Sequence, residues 1–204
     1  MTRREAIENS ILEWRYVMGL LDFLSLNKNA PDLAPAYTAI MAQARKPDHY
    51  GAGAVPDSFD GRFDMLAVHV HLVLRRLRSD GVARDDIGQA LFDMFFRDMD
   101  QAMREAGVGD LGVGKKIRKM AQAFYGRAAA YDEALGKAAP ASDDAATRKA
   151  LSAVLQRNLY PDADDAADSE KLNILAEDLL KLESELADRT LEDILAGQVF
   201  KAAS

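Results

Sequence analysis

The stretch "RFDMLAVHVHLVLRRLR", Arg62 to Arg78, admits two readings. Its middle, "AVHVHLVL", alternates in the way of a strand with one buried face. Helical spacing fits the whole stretch better. Phe63, Leu66, Val70, Val73 and Leu77 form one stripe, and Met65, Val68 and Leu72 lie on the other side. The flanking charges also recur at helical intervals. A helix that is apolar on two sides is a central one. Read this way, the chain has no convincing strand. The predicted fold class is all-α: a multi-helix bundle with an acidic C-terminal helical extension. His69 and His71 are two residues apart, so on a helix they point in roughly opposite directions. They do not share a metal, and both read as structural.

Upstream, "AIENSILEWRYVMGLLDFL" places Ile7, Ile11, Trp14, Met18 and Leu21 on one helical face. "LAPAYTAIMAQAR" predicts a short second helix with Pro35 tolerated in its first turn. "KPDHYGAGAVPDSFDG" reads as a long irregular link, because Gly51, Gly53, Pro56 and Gly61 punctuate it. Met18 could be the natural start, which would make residues 1–17 a helical upstream extension.

Downstream, "DDIGQALFDMFFRDMDQAMREAG" is a helix supported by Asp93–Arg97 and Asp100–Arg104 at i,i+4. Ile87, Leu91, Met94 and Ala102 form its core face. Phe92, Phe96, Met99 and Met103 form a second stripe. That stripe is either a widened core face or a Met- and Phe-lined surface for an apolar client, since Met adapts to irregular partners.

Then comes "GVGDLGVGKKIRKM", Gly107 to Met120. It fits G-x-x-x-x-G-K from Gly109 to Lys115, but Lys116 replaces the hydroxyl that would ligate magnesium, and a helix precedes it where a phosphate loop has a strand. Gly107 reads as a helix C-cap. Gly109, Gly112 and Gly114 read as a tight link, with Lys115 and Lys116 in the first turn of the next helix. Between Lys115 and Arg127 there are five basic residues (Lys115, Lys116, Arg118, Lys119, Arg127) and no acidic one. Such a cluster suits an anionic group: a partner's carboxylate or a phosphate. A solvated basic face is the plain alternative.

The last third has a different composition. From Pro161 to Asp193 there are twelve acids against three bases. Leu172, Leu175, Leu179, Leu182 and Leu186 give this acidic arm an amphipathic helix that can fold back on the domain or bind another chain. Thr190 and Asp193 resemble a capping box. The predicted organisation is an extension over 1–17, a helical core over 18–139 and an acidic helical arm over 140–204.

Bulk composition excludes several classes. Among 204 residues there is no cysteine, which removes disulfides, thiol nucleophiles and cysteine metal sites. A net charge of -7 argues against general nucleic-acid binding, DNA included. Glu5, Glu8 and Glu13 stand where a signal peptide would need an apolar core. The chain reads as soluble, and as cytoplasmic if bacterial.

"DSFDGRFDMLAVHVHLVLRRLR" followed by "ALFDMFFRDMDQAMREAGVGDLGVGKKIRKMAQAFYGRAAAYDEAL" closely resembles the ubiquinol–cytochrome c chaperone family, assembly factors of the respiratory bc1 complex in alphaproteobacteria and mitochondria. The resemblance runs from about Met18 to Leu135 and leaves the C-terminal arm as a feature of this chain. It implies an all-helical chaperone, not an enzyme, with no cofactor and no catalytic motif. It implies cytochrome b as client, held before haem insertion, with a small partner protein and contact with the ribosome near its tunnel exit. In a bacterium that work lies at the cytoplasmic face of the inner membrane. Among the residues shared with the family are Ser58, Gly61, Phe96, Asp110, Gly112 and Gly114. The expected partner-binding set is Asp57, Asp60, Arg62, Arg97, Asp98, Met99, Met103, Lys115, Lys116, Lys119, Tyr125 and Arg127. Two other classes remain: an RNA- or ribosome-docking adaptor using residues 115–127, and a phosphate-binding enzyme at Gly109–Lys116.

Overall fold

A computed structural model describes residues 31–51, 54–79, 85–136, 140–160 and 169–201. The expected N-terminal helix and the extension over 1–17 lie outside these residues. Among them are seven α-helices and no strand beyond an isolated bridge between Tyr50 and Val55. The helices are α1 (Ala34–Ala44), α2 (Phe59–Ser79), α3 (Asp85–Glu105), α4 (Asp110–Leu135), α5 (Ala145–Leu159), α6 (Ser169–Ala187) and α7 (Leu191–Leu195).

Helix α2, the ambiguous stretch of the sequence, is the central post. It packs against α1, α3, α4, α5 and α6. With neighbours all round, Phe63, Met65, Leu66, Val68, Val70, Leu72, Val73 and Leu77 are all buried. Full burial of each such side chain contributes roughly 1.5–3 kcal/mol, which outweighs the β-like alternation of the sequence.

Helix α2 starts earlier than the glycine-rich link predicts. Ser58 caps it, its Oγ accepting from the Gly61 N–H at 3.1 Å. Gly61 is thus inside the first turn and is not a breaker. It is glycine because of close approach: a Cβ there would sit 2.1 Å from the Pro56 carbonyl oxygen.

Helix α3 packs between α1, α2 and α4. The stripe expected as its core face is only half-buried at Ile87, Met94 and Ala102, with Leu91 alone fully buried, whereas Phe92, Phe95, Phe96, Met99 and Met103 are all core. Phe95 lies 4.8 Å from Phe96 edge-on and 5.7 Å from Phe63, ring centre to ring centre. The Met99 and Met103 side chains, expected on a client surface, are therefore framework. Asp100 pairs with Arg104 at 2.5 Å as the spacing predicts. The Asp93 carboxylate instead accepts from Gln89 Nε2 at 2.6 Å.

The connection to α4 is a tight helix end. Gly107 has φ +83, its N–H donates to the Arg104 carbonyl, and the Val108 N–H donates to the Met103 carbonyl. This is the Schellman arrangement that a glycine C-cap predicts.

The acidic arm folds back. Helix α5 packs on α4, and α6 packs on α5 and α2. All five leucines of its stripe are buried. Arg76 of α2 caps the end of α6, its Nε donating to the Leu186 carbonyl at 2.9 Å and Nη2 to that of Arg189 at 2.7 Å. Thr190 and Asp193 form the predicted capping box at the start of α7.

Candidate functional site

The expected partner-binding residues divide between two exposed charged places and the rest of the fold. The first place is the corner before α2. Arg62 Nε donates to Asp57 Oδ1 at 2.7 Å, and the Arg62 guanidinium lies 5.2 Å from the Tyr50 ring centre. Both charged groups are about half exposed (50% and 55%), so solvent screens the pair and it adds little to stability. Asp60 is exposed in the first turn of α2, where the helix dipole favours a carboxylate.

The second place is the beginning of α4. Gly109 is the N-cap, with extended φ and ψ of -66° and 154°. The helix proper starts at Asp110, so Gly112 and Gly114 are helical residues and not part of the link. Lys115 and Lys116 lie beyond the first turn, where the unfavourable dipole effect expected of them has faded. Lys115, Lys116, Arg118 and Lys119 are all exposed, and none joins an ion pair among the described residues. The nearby carboxylate of Asp110 is engaged by Arg104, which also holds Asp100. The basic face is therefore left uncompensated. Gly112 and Gly114 present no side chain over it. A helix, α3, leads into this stretch where a nucleotide loop would have a strand, as the sequence predicts, and the G-x-x-x-x-G-K match lies at the junction of two helices.

Four further expected residues have internal partners or none. Arg127 Nε is 2.8 Å from Asp64 Oδ1, and its guanidinium lies 5.5 Å from the Phe63 ring centre. Burial pushes the Asp64 carboxyl up to about 7, against the opposing pull of Arg127. The Tyr125 ring stacks on Phe92 at 5.5 Å. Asp98 accepts from the Tyr37 hydroxyl at 2.9 Å and ties α3 to α1. Arg97 is exposed and is in no ion pair among the described residues. Asp57, Asp60, Arg62, Arg97 and the three lysines are thus exposed on the surface. Tyr125, Arg127, Met99 and Met103 hold the frame.

Sequence reasoning missed the buried polar cluster that joins the arm to the core. Arg75 Nε donates to Glu183 Oε1 at 2.6 Å, and the other Glu183 oxygen accepts from the Ala141 N–H at 2.9 Å. His71 Nε2 is 3.1 Å from Asp132 Oδ1, and Arg75 and Arg78 approach the same carboxylate at 3.4 and 3.2 Å. His71, Arg78 and Arg75 together hold the Asp132 carboxyl down at about 2 against its partial burial. Burial pushes the His71 imidazole below its ordinary range. The one signal in the sequence was Arg75, a charge on the Val68–Leu72–Arg75 side of a helix predicted to be buried all round.

No helix among the described residues is long and apolar enough to cross a membrane. The solved structure of the Cbp3 homolog from Brucella abortus superposes with a TM-score of 0.68, at 34% identity, over 84% of this chain and 88% of that one. The ubiquinol-cytochrome-c reductase complex assembly factor 1 of Xenopus laevis is 26% identical over 185 residues, 89% of this chain and 87% of its own length. The profile of the ubiquinol-cytochrome C chaperone family matches residues 52–202. That span runs from the Asp57 corner through α2 to α7, so the C-terminal helices are part of the shared domain and not a peculiarity of this chain. The chain belongs to the ubiquinol–cytochrome c chaperone family.

Proposed function

We infer that this chain is an assembly chaperone of the cytochrome bc1 complex that binds newly made cytochrome b and protects it before haem insertion. The observation that carries this reading is the family match across the whole of helices α2 to α7. The surface supports it. A multi-span client presents charged loops between apolar segments, and recognition of such loops calls for exposed charge that is not already paired. The lysines of α4 and the exposed Asp60 at the start of α2 supply such charge, of both signs, on a rigid frame. The same lysine face favours a second, compatible activity, docking near the ribosomal tunnel exit, where phosphate contacts would make binding fall steeply with salt. A small partner protein and work at the cytoplasmic face of the inner membrane belong to this proposal.

The test is replacement of Lys115, Lys116 and Lys119 by glutamate in cells that depend on the bc1 complex. The variant protein should accumulate normally, because the three side chains are exposed and unpaired. Cytochrome b should be depleted and should no longer co-purify with it, since both charge and steering are reversed. Normal cytochrome b in that strain would reduce the lysine face to a solvated one. Loss of cytochrome b from a salt-stable complex, with ribosome binding intact, would separate the two activities.

A further inference from the structure

His69 and His71 part ways as their spacing predicts, but the fold brings a different histidine to His69. The turn at Pro47–His49 sets His49 against it, with ring centres 5.8 Å apart and planes tilted by 38°. His69 Nδ1 lies 2.7 Å from the Met65 carbonyl oxygen, so that nitrogen carries the proton and Nε2 carries the lone pair. His69 Nε2 is buried and has no hydrogen-bond partner. His49 Nδ1, on the facing ring, is likewise buried with no hydrogen-bond partner.

We propose that His49 and His69 form a two-imidazole site for a late first-row metal ion of the zinc class. His69 donates one ring N–H to a main-chain carbonyl and keeps the other nitrogen bare, which is how metal-ligating histidines have their tautomer and orientation fixed, and the neighbouring His49 ring has a bare buried nitrogen of its own. Two lone pairs left bare in the interior cost free energy that an ion would return. The separation fits: with metal–nitrogen bonds of about 2.0–2.1 Å and a ring radius of about 1.1 Å, two imidazoles on one ion have centres up to roughly 6.4 Å apart. Burial pushes His69 down to about 4 and lowers His49 as well, so both rings are neutral and ready to ligate at neutral pH. No third His, Cys, Asp or Glu stands within ligating reach among the described residues. The remaining positions fall to water on the side of half-buried His49, where the exposed Asp178 carboxylate adds a favourable field. Phe200 closes the site edge-on to His69 at 6.1 Å. An ion here would pin the 47–49 turn to α2, beside the C-terminal tail.

The experiment is a calorimetric titration of metal-free, full-length protein with zinc chloride. One equivalent should bind, and zinc should raise the melting temperature. Affinity should fall at least about tenfold in His49→Ala, with the zinc-dependent rise in melting temperature lost. Circular dichroism checks that this variant stays helical. Should it unfold, nitrogen-15 shifts of the imidazoles in the unaltered protein decide: zinc should move His49 Nδ1 and His69 Nε2 and leave His71 in place. The proposal is overturned if no zinc binds, if His49→Ala binds it equally well through surface carboxylates, or if those two nitrogens do not move, which would assign their lone pairs to a trapped water.

Discussion

Removing the Glu183 carboxylate tests whether the acidic arm is part of the folding unit. Glu183 is 4% exposed and its partner Arg75 is 7% exposed, with 2.6 Å between donor and acceptor. Breaking such a pair by deleting one partner costs about 3–5 kcal/mol, because the other charge stays behind in the interior. Two further terms adjust the figure. Arg75 keeps Asp132 at 3.4 Å, which softens the stranded charge. The Ala141 N–H loses its acceptor, which adds roughly 1–3 kcal/mol if no water replaces it. The expected cost of Glu183→Ala is therefore about 4 kcal/mol, a large share of the ~5–15 kcal/mol that holds a domain together. Urea denaturation followed by circular dichroism would read it, with a single transition expected because α6 packs directly on α2. The double variant Arg75→Leu, Glu183→Leu removes both charges and should cost less than the sum of its single variants, by at least about 1 kcal/mol. A cost below about 1 kcal/mol for Glu183→Ala, or additive single variants, would refute the argument and make the arm an appendage.

The second stripe of α3 gives another test: Met99→Lys should cost about 3–5 kcal/mol or prevent folding, as charge buried among Phe and Met side chains does, whereas a variant that stays folded and loses only client binding would return Met99 to the surface. The pH dependence follows from His69, pushed down to about 4 from an ordinary 6.5. Between those values the unfolded chain binds a proton that the folded chain refuses, so stability present above pH 6.5 is lost as pH falls toward 4, by about 3 kcal/mol. Asp64, pushed up to about 7 from an ordinary 3.8, acts in the opposite sense across this whole range, so the measurement is a comparison: relative to the unaltered protein, His69→Gln should gain stability as pH falls from 6.5 toward 4, and an unchanged slope would count against the assignment.

Helix α2 was legible because its apolar residues cover two sides, which marks a helix with neighbours all round. The start of α4 was misread for a definite reason. Gly112 and Gly114 read as link residues, yet each glycine inside a helix costs only about 1 kcal/mol. Burial of Val113, Ile117 and Phe124 on the facing side is worth more. Gly61 was misread in the same way, as a loop residue, when the missing Cβ is needed for the close pass of Pro56. Met99 and Met103 show a different limit. Periodicity reports that a second apolar stripe exists, but whether it meets α1 and α4 or a client depends on which helices arrive there. The Arg75–Glu183 pair, 108 residues apart in sequence, carries no local signal. The exposed lysines were legible as a cluster, and only the fold tells that no described carboxylate folds over them.

The polar residues of α2 explain why that distinction holds. Asp64 meets Arg127 of α4, His71 meets Asp132 further along α4, Arg75 meets Glu183 of α6, and Arg76 meets the carbonyls at the end of α6. Apolar contacts alone would tolerate a helix sliding by a fraction of a turn, since oily surfaces repack at modest cost. Directional pairs do not: a shift of one turn, about 5.4 Å, would break each of these and strand its charge in the interior. The central helix thereby sets the register of two neighbours, including one from the acidic arm. Glu183 of the arm, held by Arg75, is unavailable to the lysines of α4, and no ion pair joins those lysines to the arm among the described residues. Reversal of Lys115, Lys116 and Lys119 should therefore change what the protein binds while leaving its unfolding transition in place.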